Sequence, residues 1–295
     1  MVHVPVLLKE TIDILNPKTG EFFIDGTAGS GGHSVKILER IGPEGKLLVI
    51  DWDKKNIESL KNGIFKNFEN VIFVNENNVN LPEILKKCDL PKADGLILDL
   101  GFSSEQLEKS GRGFSFLKNE ILDMRYNTES EDMTASEIVN SFSDKELADI
   151  FWLYGEEKFS RQIAKKIFEE RRKKKIITAF DLVEVIKKAV PGNYERGRIH
   201  PATRVFQALR IYVNHELENL EKISSDLEKI IKPKGRIAII SFHSLEDRLV
   251  KTNFRKLKNE AKAEILTKKP IRPSDEEIRE NSRSRSAKLR AIKLN

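Results

Sequence analysis

A chain of 295 residues, 39% hydrophobic and 33% charged, is long enough to bury one large core or two smaller ones. One cysteine, Cys88, excludes an intramolecular disulfide and a cysteine-rich metal site. Apolar runs are too short to span a membrane, "MVHVPVLLKE" meets charge too early for a signal peptide, and the net charge of +6 suits a nucleic-acid partner without requiring one, so a cytoplasmic location is expected.

The first hundred residues alternate strands with helices. "VPVLLKETIDIL" predicts a helix with Pro5 near its first turn, and "EFFID" (21–25) a short strand. "HSVKILERI" sets Val35, Leu38 and Ile41 on one helical face. "KLLVIDWD" predicts a second strand ending at Asp51, "KNIESLKNGIF" a helix and "NVIFVN" (70–75) a third strand. "LPEILKKC" reads as a short helix and "ADGLILDLG" as a fourth strand ending at Asp99. This alternation predicts a parallel sheet covered on both faces. From about residue 106 to 202 strand signal stops, and helices dominate in "SDKELADIFWLYG" and "RQIAKKIFEERRKKK". One long helix is expected over 203–231, its apolar stripe running from Val205 through Leu209, Val213, Leu217 and Leu220 to Leu227 and Ile230. Pro233 and Gly235 stop it. "RIAIISF" (236–242) is a fifth strand, "LEDRLVKTNFRKL" a helix, and "AEILT" and "AKLRAIKL" the last two strands. The expectation is a Rossmann-like α/β domain with a seven-stranded, mostly parallel sheet, built from residues 1–105 and 203–295 and interrupted by an all-helical insertion at 106–202.

"FIDGTAGSGGHS" (23–34) puts Asp25 at a strand end, with Gly26, Gly29, Gly31 and Gly32 after it. A Walker-type phosphate loop needs Gly-Lys-Ser/Thr, but Gly32 is followed by His33 and Ser34. A dinucleotide fingerprint needs a third glycine where Ser34 stands, and Asp25 would repel a pyrophosphate. A cationic nucleoside without phosphate fits better. S-adenosylmethionine carries a sulfonium and an ammonium, which a carboxylate at a strand end favours. Asp51 ends the next strand, where a carboxylate can accept from ribose hydroxyls, and Asp99 ends the fourth on the same carboxyl edge. Turn aspartates and turn glycines are the bland alternative, and three acids in register at successive strand ends weigh against it.

"DGTAGSGGHS", "LDLGFSSEQL", "RGFSF", "LDMR", "HPATRVFQALRIYVNHEL", "ISFHSLEDR" and the tail "TKKPI…NSRSRSAKLR" resemble the MraW (RsmH) family of bacterial small-subunit ribosomal RNA (cytosine-N4)-methyltransferases. The resemblance runs from "HVPVLL" to the C-terminus. It implies a class I methyltransferase fold with an inserted helical domain, S-adenosylmethionine as cofactor, and a cytidine in the decoding region of 16S rRNA as substrate; no metal is expected, because the methyl donor is already activated and the five histidines are scattered. By motif it implies that Gly31, Gly32 and His33 line the methionine end, that Asp51 holds the ribose, that Asn78 lies near the adenine, and that Asp99 and Gln106 complete the cofactor site. The oligomeric state stays open, a homodimer included.

Methylation of an exocyclic amine needs nitrogen, methyl and sulfur in line, and an acceptor beside the amine hydrogens. Methylation at cytosine C5 would instead need a thiolate nucleophile, and Cys88 precedes the fourth strand, away from its carboxyl end. Many amino-methyltransferases carry Asp/Asn/Ser-Pro-Pro-aromatic after the fourth strand. Here Asp99-Leu100-Gly101-Phe102 keeps acid and ring and lacks both prolines. Asp99 or the Leu100 carbonyl is the candidate acceptor; cofactor contact alone is the other role open to Asp99. His243, Glu246, Asp247 and Arg248 are expected to shape the acceptor pocket.

Candidate phosphate contacts are "RRKKK" (171–175) with Arg161, Lys165 and Lys166, then His200, Arg204 and Arg210, and five basic residues in 281–295. A charge run is more often a solvated face. Trp152, Tyr154 and Phe159 are candidates for base stacking, with core packing the stronger expectation. Two rivals remain: a nicotinamide-dependent oxidoreductase, and a non-catalytic RNA-binding protein of the ribosome.

Overall fold

The alternation closes into one sheet. The computed structural model describes residues 5–101, 107, 110–192, 194 and 200–295. Strands β1 (Phe22–Asp25), β2 (Lys46–Asp51), β3 (Val71–Asn75), β4 (Ala93–Asp99), β5 (Ile231–Ser241), β6 (Ala263–Ile265) and β7 (Lys288–Leu294) lie in the order β3-β2-β1-β4-β5-β7-β6. The first five pair in parallel; β7 runs antiparallel to both β5 and β6. This is the class I methyltransferase sheet implied by the resemblance. Strand order reverses between β1 and β4, and open α/β sheets bind ligands at such a switch point, beyond the carboxyl ends.

Helices in chain order are α1 (Leu8–Leu15), α2 (Gly32–Ile41), α3 (Lys54–Asn62), α4 (Leu81–Lys87), α5 (Ala135–Ser141), α6 (Asp144–Gly155), α7 (Ser160–Glu170), α8 (Ala179–Ala189), α9 (Thr203–Val213), α10 (Glu216–Ser225), α11 (Leu227–Ile230), α12 (Ser244–Asn259) and α13 (Asp275–Glu280). The chain divides into two compact units, residues 1–102 with 217–295, and residues 103–216.

The first unit owes its layers to the two-residue period of a strand. Phe22, Ile24, Leu48, Ile50, Leu96, Leu98, Ile237 and Ile239 point to one face, where they meet Leu81, Ile84, Leu220, Ile223, Val250 and Phe254. Phe23, Leu47, Val49, Ile97, Ala238 and Ile240 point to the other, against Ile12, Leu15, Ile37, Ile41 and Leu60. Each fully buried Leu or Ile contributes about 1.5–3 kcal/mol. Cys88 caps the C-terminus of α4 and packs against the first of these clusters, in keeping with an ordinary residue.

The second unit is a helical cluster around Ile138, Leu147, Phe151, Ile163, Leu182, Val205 and Leu209. Thr134, Ser143 and Thr178 start α5, α6 and α8 with reciprocal capping boxes to Glu137, Glu146 and Asp181.

The expected helix over 203–231 is three helices. Asn214 ends α9, and His215 takes the left-handed conformation at φ 51°. The Asn214 side chain accepts from Tyr126 N–H (2.7 Å) and donates to the Met124 carbonyl (2.8 Å), so the chain is held where periodicity alone would continue it. Consequently α9 packs within the helical unit, and the division falls after residue 216 rather than at 202.

Candidate active site

Three carboxylates stand at the C-terminal ends of β1, β2 and β4, as their spacing predicts. After β1 the chain hooks across its neighbours: Gly26 N–H donates to the Ile97 carbonyl of β4, and Ala28 N–H to the Ile50 carbonyl of β2. Gly31 then enters α2 at φ 79°. A Cβ on Gly31 would sit 2.6 Å from Ile64 and 2.8 Å from Phe65, and one on Gly32 would collide with Pro5. Packing of the α2 start therefore demands both glycines. A Cβ on Gly29 would meet nothing nearer than 3.8 Å, and one on Gly101 nothing nearer than 3.9 Å, so these two border open space.

Asp25 is 2% exposed. Its carboxylate accepts from Ser34 Oγ (2.7 Å) and Thr27 N–H (3.1 Å), yet burial pushes its pKa up to about 6. Asp51 accepts from Asp53 N–H (2.8 Å), Gly29 N–H (3.3 Å) and Asn56 Nδ2 (2.5 Å), and burial raises it likewise to about 6. A carboxylate offers about four lone-pair sites, so Asp51 keeps about one for a ligand hydroxyl. Asn56 also donates to the Gly29 carbonyl (2.7 Å), tying α3 to the glycine loop.

Asp99 is the most perturbed of the three. Burial comes first and the negative charges of Asp25 and Glu246 follow; together they push its carboxyl well above the usual range. Its backbone N–H donates to Thr27 Oγ1 (2.5 Å). Its Oδ2 lies 3.8 Å from His33 Nδ1, and its Oδ1 is buried with no hydrogen-bond partner. His33 Nε2 lies 3.0 Å from the Val6 carbonyl, which can only accept, so Nε2 carries the ring hydrogen. Asn78 Nδ2 donates to the Gly26 carbonyl (2.9 Å), which brings it to the same loop. Gln106 and Phe102 lie outside the described residues.

His243 and Glu246 begin α12 as a reciprocal capping pair. Glu246, 2% exposed, accepts from Phe242 N–H (2.8 Å), and its own N–H donates to His243 Nδ1 (3.4 Å). Nδ1 accepts in that bond, so the ring hydrogen is on Nε2. That atom is buried without a hydrogen bond; Glu246 Oε1, 3.2 Å away, is misaligned for one. Asp99 pairs in register with Ile240, three residues before His243, so the unpartnered acceptor Asp99 Oδ1 and the His243–Glu246 pair stand at neighbouring strand tips.

Most of the expected phosphate contacts are occupied inside the protein. Helix α7 ends at Glu170, before "RRKKK". Arg171 donates to the Val139 and Phe142 carbonyls at the end of α5, Lys173 pairs with Glu170 and Lys174 with Asp181. Arg210 grips Glu216 through two 2.8 Å bonds, and Arg204 donates to Tyr194 Oη (2.8 Å). His200 stacks on Phe116, and burial lowers its pKa. Lys288 and Arg290 both bind Asp247. Tyr154 and Phe159 pack against Tyr212 and Tyr194, whereas Trp152, expected in the core, is 59% exposed.

The sequence reading missed Asn56, Thr27 and Ser34. Asn56 had a signal, an amide in the first turn of the helix after Asp51. The other two are small loop hydroxyls whose partners only the fold reveals.

The MraW methylase family matches residues 1–295, the whole chain. The chain belongs to that family. The chain is 47% identical over 306 aligned residues to the ribosomal RNA small subunit methyltransferase H of Clostridium botulinum (strain Loch Maree / Type A3), covering 99% of this chain and 98% of that one. It is 46% identical over 290 residues to the protein of the same name from Dictyoglomus thermophilum, covering 98% and 95%. Among the described residues no helix is long and apolar enough to cross a membrane.

Proposed function

We propose that this MraW-family chain, a small-subunit ribosomal RNA methyltransferase dependent on S-adenosylmethionine, acts on the exocyclic N4 of a cytidine in the decoding region of 16S rRNA. When bound, S-adenosylmethionine supplies an activated methyl group on a sulfonium. Asp51 accepts from the ribose, Gly29 and the Asn78 loop border the nucleoside, and the Asp25–Asp99 pair provides negative charge toward the sulfonium. Gly31, Gly32 and His33 shape the methionine end, His33 by standing beside Asp99.

The observation that carries the acceptor assignment is Asp99 Oδ1, buried without a hydrogen-bond partner at the strand tip next to His243. Cytosine presents an amine that donates and, beside it, a ring nitrogen that accepts. Asp99 accepts from the amine while His243 Nε2–H donates to the ring nitrogen. Uracil and guanine present a carbonyl beside an N–H at the same positions and leave both protein atoms mismatched, whereas adenine presents the same edge as cytosine, so the choice of cytosine is what the family resemblance implies. With the methyl donor bound, Asp99 or the Leu100 carbonyl would accept a hydrogen bond from the amine and hold N4 for the transfer, and of the two only the Asp99 carboxylate could take up the proton that the amine gives up. The helical unit admits and positions the substrate, with exposed Trp152 as its stacking candidate. A cytoplasmic site of action goes with that substrate.

Mass mapping of nucleosides from small subunits incubated with enzyme and S-adenosylmethionine tests this reading. N4-methylcytidine at one decoding-region position is expected. Methyl groups on another base, or none, would overturn it.

A further inference from the structure

We infer that the exposed face of α12 is a second docking surface for the phosphate backbone of the ribosomal RNA. This rests on the reading of the substrate given above. Val250 and Phe254 bury one side of the helix. The opposite side carries Arg248, Lys251, Arg255, Lys256 and Lys258. Positions 248, 251, 255 and 258 follow steps of three and four, so they form one stripe rising about 1.5 Å per residue. Past Glu246 and Asp247 in the first turn the helix holds no acid.

These cations differ from the basic clusters described above. Lys251, Arg255, Lys256 and Lys258 form no ion pair among the described residues. The acids nearest in the chain are already engaged: Asp247 holds Lys288 and Arg290, while Glu260 and Glu228 hold Lys262. A shallow depression of about 470 Å³ borders the stripe at Arg255 and is lined also by Thr252, Lys256, Asn259 and Glu260, the last of which holds Lys262. Cations without an ion-pair partner, with Thr252 and Asn259 beside Arg255 and Lys256, fit phosphodiester oxygens, which take both charge and neutral hydrogen bonds. Helix α12 starts directly after β5, at the carboxyl edge that carries Asp99, so the stripe leads away from the catalytic edge along one face of the same unit. RNA flanking the target cytidine is the occupant that this charge selects.

The test is the variant K251Q/R255Q/K256Q/K258Q, which keeps helix-forming residues and removes the charge. Melting temperature and S-adenosylmethionine affinity stay at wild-type values, which shows that the fold is intact. The KM for small subunits rises at least tenfold, and the slope of log KM against log salt falls by about 3, the loss expected for four phosphate contacts. An unchanged KM and salt slope would overturn the inference, and would be the result if this face served an acidic protein or a lipid surface instead. The wild-type enzyme separates the two readings: failure to methylate small subunits at all refutes the proposed function, whereas normal wild-type transfer with an unaffected variant refutes the surface alone.

Discussion

Asp25 and Asp51 sit under a burial penalty that holds both carboxyls near pH 6, against about 3.9 in an unfolded chain. Between those values the folded protein keeps protons that the unfolded chain has lost. Their contribution therefore favours the fold most at the acid end, declines as pH rises through that window, and is constant above it. A cationic ligand acts in the opposite sense, because it prefers the ionised carboxylates. S-adenosylmethionine affinity is expected to rise between pH 5 and 7, by up to about tenfold per unit for each coupled group, with proton release on binding. Calorimetry in two buffers of different ionisation enthalpy measures both, and a pH-independent Kd without proton release would contradict the charge pairing. Replacing Asn56 by Ala removes the 2.5 Å donor to Asp51, and Kd for the donor should weaken about tenfold. Asp99→Ala should lower kcat by at least about 100-fold at saturating cofactor; near-normal turnover would leave Asp99 a cofactor contact only. The three acids were visible in the sequence because each closes an apolar run. Their protonation was not, since burial and the approach of Asp25 and Glu246 to Asp99 are properties of the folded chain.

At the scale of the element, apolar patterning marked a strand at each of the seven positions, most plainly in β1, β2 and β4, where buried parallel strands read as continuous apolar runs. It failed at 203–231, where apolar steps of three and four continue through a real break. Asn214 stops α9 through bonds to Met124 and Tyr126, about ninety residues earlier in the chain, and no local pattern encodes such a partner. The same limit explains "RRKKK". Arg171 satisfies two carbonyls at the end of α5, while Lys173 and Lys174 meet acids on α7 and α8, so a run that suggests RNA contact is in large part a fastening within the helical unit. Arg171→Ala should destabilise that unit by about 1–3 kcal/mol, read as a lower denaturant midpoint, whereas Lys175→Ala should fall within about 0.5 kcal/mol of wild type. Equal effects of the two substitutions would contradict the assignment.

For the whole molecule, the decisive feature is that the strand order reverses between the parallel neighbours β1 and β4 and so gathers acids from distant parts of the chain at one edge. Composition could exclude disulfide and cysteine-metal chemistry, and strand-end acids could argue for a cationic nucleoside over a phosphate. Neither assigns a base; cytosine is what the family resemblance implies, and the buried, unpartnered Asp99 Oδ1 offers an acceptor for an exocyclic amine. Binding to the folded form alone stabilises by mass action, so S-adenosylmethionine at 100 times its Kd should add about 2.7 kcal/mol and raise the melting temperature, while NAD at the same concentration should not. The central claim is that the tips of β1, β2 and β4 hold the methyl donor. A crystal structure grown with S-adenosylmethionine tests it most directly. The account predicts the ribose on Asp51 and the transferable methyl turned toward Asp99; a donor lodged elsewhere, with all three carboxylates untouched, would contradict it.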